Sequence, residues 1–157
     1  MFVSIAVVLL GREIIDWMLR SPLGVAWLAS KSAADSAILV DRYAFWWDPS
    51  DLRRAKLKMQ VWRKVGNAQL AEAQTMGAEA KDKLAKTRAR AAEARSKGAE
   101  PLVKEEEEAA SEWEAAASSC AGAIRNWEEA LKKIEDREAE IAAVEAATKQ
   151  TPASKHD

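Results

Sequence analysis

The sequence predicts an all-α protein in which short apolar N-terminal helices precede a long antiparallel two-helix coiled-coil hairpin. The 157 residues include only six glycines and four prolines, so long uninterrupted helices are expected. Residues 102–148 place apolar or small side chains in a heptad pattern, which is typical of a coiled coil. Residues 50–98 carry a net charge of +8 and residues 99–148 a net charge of −9, as suits two helices packed together.

The first 47 residues are predicted to be an apolar or amphipathic helical anchor region. Residues 2–10 are apolar apart from one serine, but nine helical residues span only about 14 Å, half the hydrocarbon core of a bilayer. Arg12, Asp16 and Arg20 then form one polar stripe on an otherwise apolar helix. No basic segment precedes the apolar run and no cleavage site is evident, so a secretory signal peptide is not predicted.

A second predicted helix begins at residues 21–24, where Ser21 suits the capping position and Pro22 the first helical position. Its charged residues argue against an isolated membrane span. Tryptophan and tyrosine are enriched at membrane–water interfaces, which favours an anchoring role for the aromatic residues of this region. The alternatives are a small core at the base of the hairpin and a contact with a pigment, lipid or ligand. The predicted anchor residues are Trp17, Trp27, Tyr43, Phe45, Trp46 and Trp47.

The hairpin is predicted to begin after Asp48, which suits the N-cap of its first helix. The two hairpin helices are expected at about residues 49–97 and 101–148. A glycine followed by a proline supplies the residues for a turn at 98–101. Residues 149–157 are expected to be a flexible tail.

The two hairpin helices are predicted to meet along one seam. On the second helix, one heptad position runs from Trp113 to Thr148, and the interleaved position runs from Ala109 to Val144. A turn near residue 100 predicts that the numbers of facing residues add up to about 200, so that large residues meet small ones. The predicted seam residues are Leu70, Ala73, Gly77, Leu84, Trp113, Cys120, Trp127, Ile134 and Ile141.

Charge favours the same pairing. The first helical arm, residues 50–98, holds thirteen Lys or Arg and five Asp or Glu, whereas residues 99–148 hold five and fourteen. Antiparallel packing therefore brings opposite charges together along the flanks, which selects the partner and its orientation. The exception is Arg63 opposite Arg137, where we expect both side chains to reach outward or a carboxylate of a third partner to lie between them.

The composition argues against catalysis. The single histidine, His156, lies in the tail and the single cysteine, Cys120, lies on the seam, so a zinc site or a histidine-based active site cannot be built. The four glutamates at 105–108 suit the start of a helix better than a cation site, and the basic arm lacks the aromatic residues of a nucleic-acid surface. We expect no enzymatic activity, no cofactor, no metal and no nucleic-acid partner.

The sequence thus predicts a non-catalytic structural, linker or accessory subunit of a larger membrane-associated protein complex. Residues 1–47 would contact a membrane or membrane protein, and the hairpin would brace neighbouring subunits. A mitochondrial inner, plastid inner or thylakoid membrane is the expected setting. The order of segments resembles that of stalk subunits of rotary ATP synthases, although the turn at 98–101 departs from a straight stalk helix. The alternatives are a soluble adaptor or chaperone-like hairpin and a peripheral membrane-binding module.

Overall fold

The structure, a computed structural model, describes residues 21–39 and 48–150. Three α-helices make up nearly all of these two ranges: α1 is Pro22–Leu39, α2 is Leu52–Ser96 and α3 is Glu100–Gln150. The described residues contain no strand, and α2 and α3 pack against each other as a hairpin. The all-α helical-hairpin fold predicted from the sequence is therefore confirmed.

Several sequence predictions fall on parts of the chain that the structure does not describe. The helix expected before residue 21 lies outside the described residues. The predicted tail, residues 149–157, also lies outside them except for residues 149 and 150, which belong to α3. The same holds for five of the six predicted anchor residues, namely Trp17, Tyr43, Phe45, Trp46 and Trp47. Among the predicted anchor residues, Trp27 is therefore the one whose surroundings are known.

The start of α1 follows the predicted capping pattern. The backbone N–H of Gly24 donates to Ser21 Oγ at 3.1 Å, and the N–H of Val25 donates to the carbonyl oxygen of Ser21 at 3.1 Å. Pro22 occupies the first helical position, where its missing N–H leaves no intrahelical bond unmade. Ser21 and Pro22 therefore fix where α1 begins.

The start of α2 differs from the prediction. Asp51 is the N-cap, and its side chain accepts a hydrogen bond from the backbone N–H of Arg54 at 3.0 Å. Asp48 instead accepts bonds from the N–H and the hydroxyl of Ser50, at 2.9 and 2.7 Å, and these bonds lower the pKa of Asp48. Because the turn at Ser50 occupies the carboxylate of Asp48, the helix starts one turn later, at Leu52.

The turn between α2 and α3 forms around Gly98, as the sequence predicts. Gly98 has a φ of 70°, which an L side chain rarely adopts. Its N–H donates to the carbonyl oxygen of Arg95 at 3.1 Å, and the N–H of Ala99 donates to that of Ala94 at 3.0 Å. This pair of bonds is a Schellman motif, and it satisfies the carbonyl groups at the end of α2.

Five ion pairs between α2 and α3, counted among the described residues, show how the two helices align. The numbers of the paired residues add up to between 196 and 202, close to the predicted value of about 200. Exposed pairs of this kind contribute little stability individually, but they favour the antiparallel orientation. They are Lys56–Glu145, Arg63–Glu138, Arg88–Glu114, Arg90–Glu106 and Arg95–Glu107.

The central part of the hairpin is a packing of three helices. Val25 and Ala29 of α1 belong to the same buried cluster as Met76 of α2 and Cys120 of α3. A second cluster, towards the open end of the hairpin, is built from buried residues of α2 and α3. The sequence predicted a two-helix rod with α1 in a separate base, whereas the structure places α1 against the middle of the rod.

Candidate interaction surfaces

One face of α1 packs on the hairpin through small residues. Val25, Ala29, Ser32 and Ser36 are all buried, and their spacing of three or four places them on one side of the helix. Ser36 Oγ donates to the carbonyl oxygen of Ala33 at 2.7 Å, which satisfies the hydroxyl within the helix. Small side chains bring the α1 backbone close to the hairpin, because the distance between packed helices depends on the side chains at the contact.

The opposite face of α1 carries three large apolar residues, whereas Leu28 is half-buried against the hairpin. Leu23 is 80% exposed, Trp27 54% and Ile38 49%. Steps of four and eleven residues place these three side chains within a narrow stripe on the helix, which we call the α1 outer stripe. Lys31 Nζ lies 5.8 Å from the centre of the Trp27 ring, a weak cation–π contact. The burial of α1 is thus largely inverted: mostly small residues face the hairpin, and Leu23, Trp27 and Ile38 face outward.

Trp127 links α1 to the hairpin. Its indole Nε1–H donates to Ser32 Oγ at 2.8 Å, and both residues are buried. A buried indole needs an acceptor for its N–H, and Ser32 supplies one from a different helix. Trp127 therefore fills the hairpin seam, as predicted, and also fixes the position of α1 along it.

The predicted seam residues lie at the helix contacts. Leu70 and Leu84 are half-buried, and the other seven are buried. The structure also buries Met76, which the two-helix seam did not include, in the cluster that contains α1 residues. The signal for this contact was the row of small residues on α1. Burial raises the pKa of the Cys120 thiol, so little reactive thiolate forms there.

The two arginines predicted to oppose each other are paired with glutamates of α3. Arg63 forms an ion pair with Glu138, and Arg137 with Glu140 on its own helix. Both guanidinium groups therefore reach outward to carboxylates at the edge of the seam. Of the two expected arrangements, the structure shows the outward-reaching one, with the paired carboxylates supplied by this chain.

A second apolar surface lies near the start of α2. Leu57 is 54% exposed, Val61 57% and Val65 38%, and they recur every four residues. We call these three residues the α2 entry stripe. A shallow groove of about 390 Å³ runs beside it and is lined by Arg54, Leu57, Lys58, Val61 and Trp62.

The chain was compared with known proteins. Protein-family models, curated proteins and solved structures give no match. Within residues 21–39 and 48–150, no helix is long and apolar enough to cross a membrane. In the same ranges, no group of three or more His, Cys, Asp or Glu side chains is placed to hold a metal ion. In the described residues, the features that bear on function are therefore the two apolar stripes and the hairpin.

Proposed function

We propose that this chain is a non-catalytic structural subunit of a larger membrane-associated protein complex. The α1 outer stripe docks on a neighbouring subunit, and the hairpin projects from that contact and braces other subunits. The observation that supports this proposal is the inverted burial of α1, whose large apolar residues Leu23, Trp27 and Ile38 face away from its own core.

The exposed residues of α1 are suited to docking. Burial of a large apolar side chain contributes about 1.5–3 kcal/mol, and aromatic residues are frequent anchors at protein interfaces. The small residues on the other face, together with the bond from Trp127 to Ser32, hold α1 on the hairpin. A partner therefore meets a stripe that is already ordered, so less conformational entropy is lost on binding.

The hairpin is suited to bracing. α2 has 45 residues and α3 has 51, so each helix is about 70 Å long at 1.5 Å per residue. A rod of this length separates or joins partners over a distance comparable to two small domains. The grooves found on it are shallow and bordered by charged side chains, unlike the enclosed apolar pockets that bind small substrates.

The test is the size of the native assembly after mild detergent extraction of the cells that make the protein. We expect the wild-type chain to run in a large assembly. The double variant Leu23→Asp/Trp27→Asp should run as a free chain of 17.3 kDa with unchanged helicity by circular dichroism.

The matched control is Leu102→Asp, which changes another exposed leucine, 47% exposed, near the turn of the hairpin. This variant should stay in the assembly. Retention of the Leu23→Asp/Trp27→Asp variant in the assembly would contradict docking through α1. A wild-type chain that is extracted as a soluble monomer would instead favour the soluble adaptor.

A further inference from the structure

The first four turns of α2, residues 52–65, combine exposed apolar residues with basic residues and contain no acidic residue. Residues 52–65 hold six Lys or Arg and no Asp or Glu. Leu57, Val61 and Val65 of the α2 entry stripe lie within this segment and are exposed. The segment belongs to the part of the hairpin whose buried cluster contains no α1 residue.

The positive charges are divided between two sides of α2. Lys56 and Arg63 face α3 and form ion pairs with Glu145 and Glu138. By the 100° step of the helix, Arg53 and Lys64 lie on one flank of the α2 entry stripe and Lys58 on the other. Arg54 lies in line with the stripe, at its N-terminal end. Basic residues therefore border the stripe on both flanks and at its start.

We propose that the α2 entry stripe and its basic flanks bind the surface of an anionic membrane. The aliphatic side chains enter the headgroup–acyl boundary, and the guanidinium and ammonium groups contact lipid phosphates. Helices that lie on membranes show this combination of an apolar stripe with Lys and Arg on the polar face. This surface is separate from the α1 outer stripe, so the inference does not depend on α1 docking.

The charge and shape of the surface favour a membrane over other anionic partners. A nucleic acid would leave three aliphatic residues in water, since single strands are bound by stacking on aromatic rings. An amphipathic acidic helix needs a hydrophobic groove, whereas Leu57 to Val65 form a straight row about 12 Å long beside a shallow depression. A flat, anionic surface matches a short row of this kind with cations on both sides.

A position-specific probe tests this inference on the full chain. In a Cys120→Ala background, Val61→Cys is labelled with the polarity-sensitive dye NBD, and Leu102→Cys is the matched control. We expect the dye at position 61 to shift to the blue with vesicles of phosphatidylcholine and phosphatidylglycerol. It should not shift with phosphatidylcholine alone, and high salt should reverse the shift. The dye at position 102 should not respond to either vesicle.

A second experiment compares two pairs of arginine substitutions and measures vesicle binding by co-sedimentation. Each basic residue near a membrane surface contributes about fivefold to binding. Arg53→Gln/Arg54→Gln, which removes two of them, should therefore weaken binding to the anionic vesicles about 30-fold. The matched pair Arg88→Gln/Arg90→Gln removes the same charge farther along α2 and should change binding by less than about threefold, because such attraction fades within a Debye length.

Any of five results would overturn the inference. Two of them are a response of the dye at position 61 no larger than that of the dye at 102, and an equal response to both kinds of vesicle. The third is an equal loss of vesicle binding in the two arginine pairs. A dye at position 61 that is already shielded in vesicle-free protein would show that the chain covers its own stripe. A response to polyglutamate without a response to vesicles would assign the surface to an acidic protein.

Discussion

At the residue scale, the contact between Trp127 and Ser32 decides where α1 lies. The heptad spacing of Trp127 predicted its burial in the hairpin. It did not predict the bond to Ser32 Oγ, because the two residues are 95 positions apart and Ser32 belongs to no heptad. The sequence thus predicted the packing of the ring, whereas the partner of its N–H depended on how α1 folds back.

This bond makes a specific prediction about stability. We expect Ser32→Ala to lower the free energy of unfolding by about 1–3 kcal/mol, because the buried indole N–H of Trp127 loses its acceptor. In a Trp127→Phe background, which has no indole N–H, the same Ser32→Ala change should cost much less. Guanidinium unfolding of the four proteins, followed by circular dichroism, measures both costs. Equal costs in the two backgrounds would show that the bond does not couple α1 to α3.

At the element scale, the heptads and the opposite charges of α2 and α3 were enough to predict an antiparallel hairpin and its approximate alignment. The same pattern could not place α1, because a two-helix seam already accounted for the apolar residues of both arms. Met76 shows the consequence, since it lies off that seam but is buried in the cluster that includes α1. The cap of α2 was also misplaced, because two aspartates three residues apart both suit an N-cap and only local bonding separates them.

The alignment of α2 and α3 can be tested with the native cysteine. A Cβ atom at position 77 would lie 3.4 Å from the Cβ atom of Cys120, close to the separation found in disulfides. We expect Gly77→Cys to form an intramolecular disulfide with Cys120 under mild oxidation, measured as the loss of both free thiols without dimer formation. Leu84→Cys, one heptad away, should keep its thiol. A disulfide from position 84 and none from position 77 would show that the alignment is shifted by a heptad.

The pairing of the helix ends predicts a dependence on pH. A hydrogen bond from Lys56, and then one from Lys149, hold the pKa of Glu145 below its ordinary value of 4.5. A carboxylate whose pKa is lower in the folded protein than in the unfolded chain stabilises the fold at pH values above its unfolded-state pKa. That stabilisation is lost as the pH falls through the pKa of the carboxylate in the folded protein. The end of the hairpin should therefore loosen in acid below about pH 4.5.

We expect Lys56→Met to raise the pKa of Glu145 towards its ordinary value, because the largest cause of the shift is removed. Carboxyl-carbon NMR titration of Glu145 measures the change directly. Lys64→Met, which removes a lysine two turns along α2, should leave the titration of Glu145 as it is in the wild type. An unchanged pKa of Glu145 in Lys56→Met would mean that the two side chains do not pair in solution.

At the scale of the whole molecule, two apolar stripes are exposed on one packing of three helices. The α1 outer stripe lies over the middle of the rod, and the α2 entry stripe lies near its open end. The sequence assigned anchoring to residues 1–47, and Trp27 does lie exposed on α1. The row of small residues on α1 did not by itself indicate which face of the helix would turn inward. Amphipathic patterns normally place large apolar residues inside, so an inverted helix cannot be recognised without its packing.

α1 rests on the hairpin through its small face, and we propose that it docks a neighbour through its outer stripe. Thiol reactivity tests the packing of the small face and the docking of the outer stripe in one experiment. The variants are Trp27→Cys and Ser32→Cys, each in a Cys120→Ala background, and each is measured in the isolated chain and in the native assembly. We expect the thiol of Trp27→Cys to react rapidly with maleimide in the isolated chain and slowly in the assembly, and the thiol of Ser32→Cys to react slowly in both. Equal reactivity of Trp27→Cys in the two states, or rapid reaction of Ser32→Cys in the isolated chain, would contradict the claim.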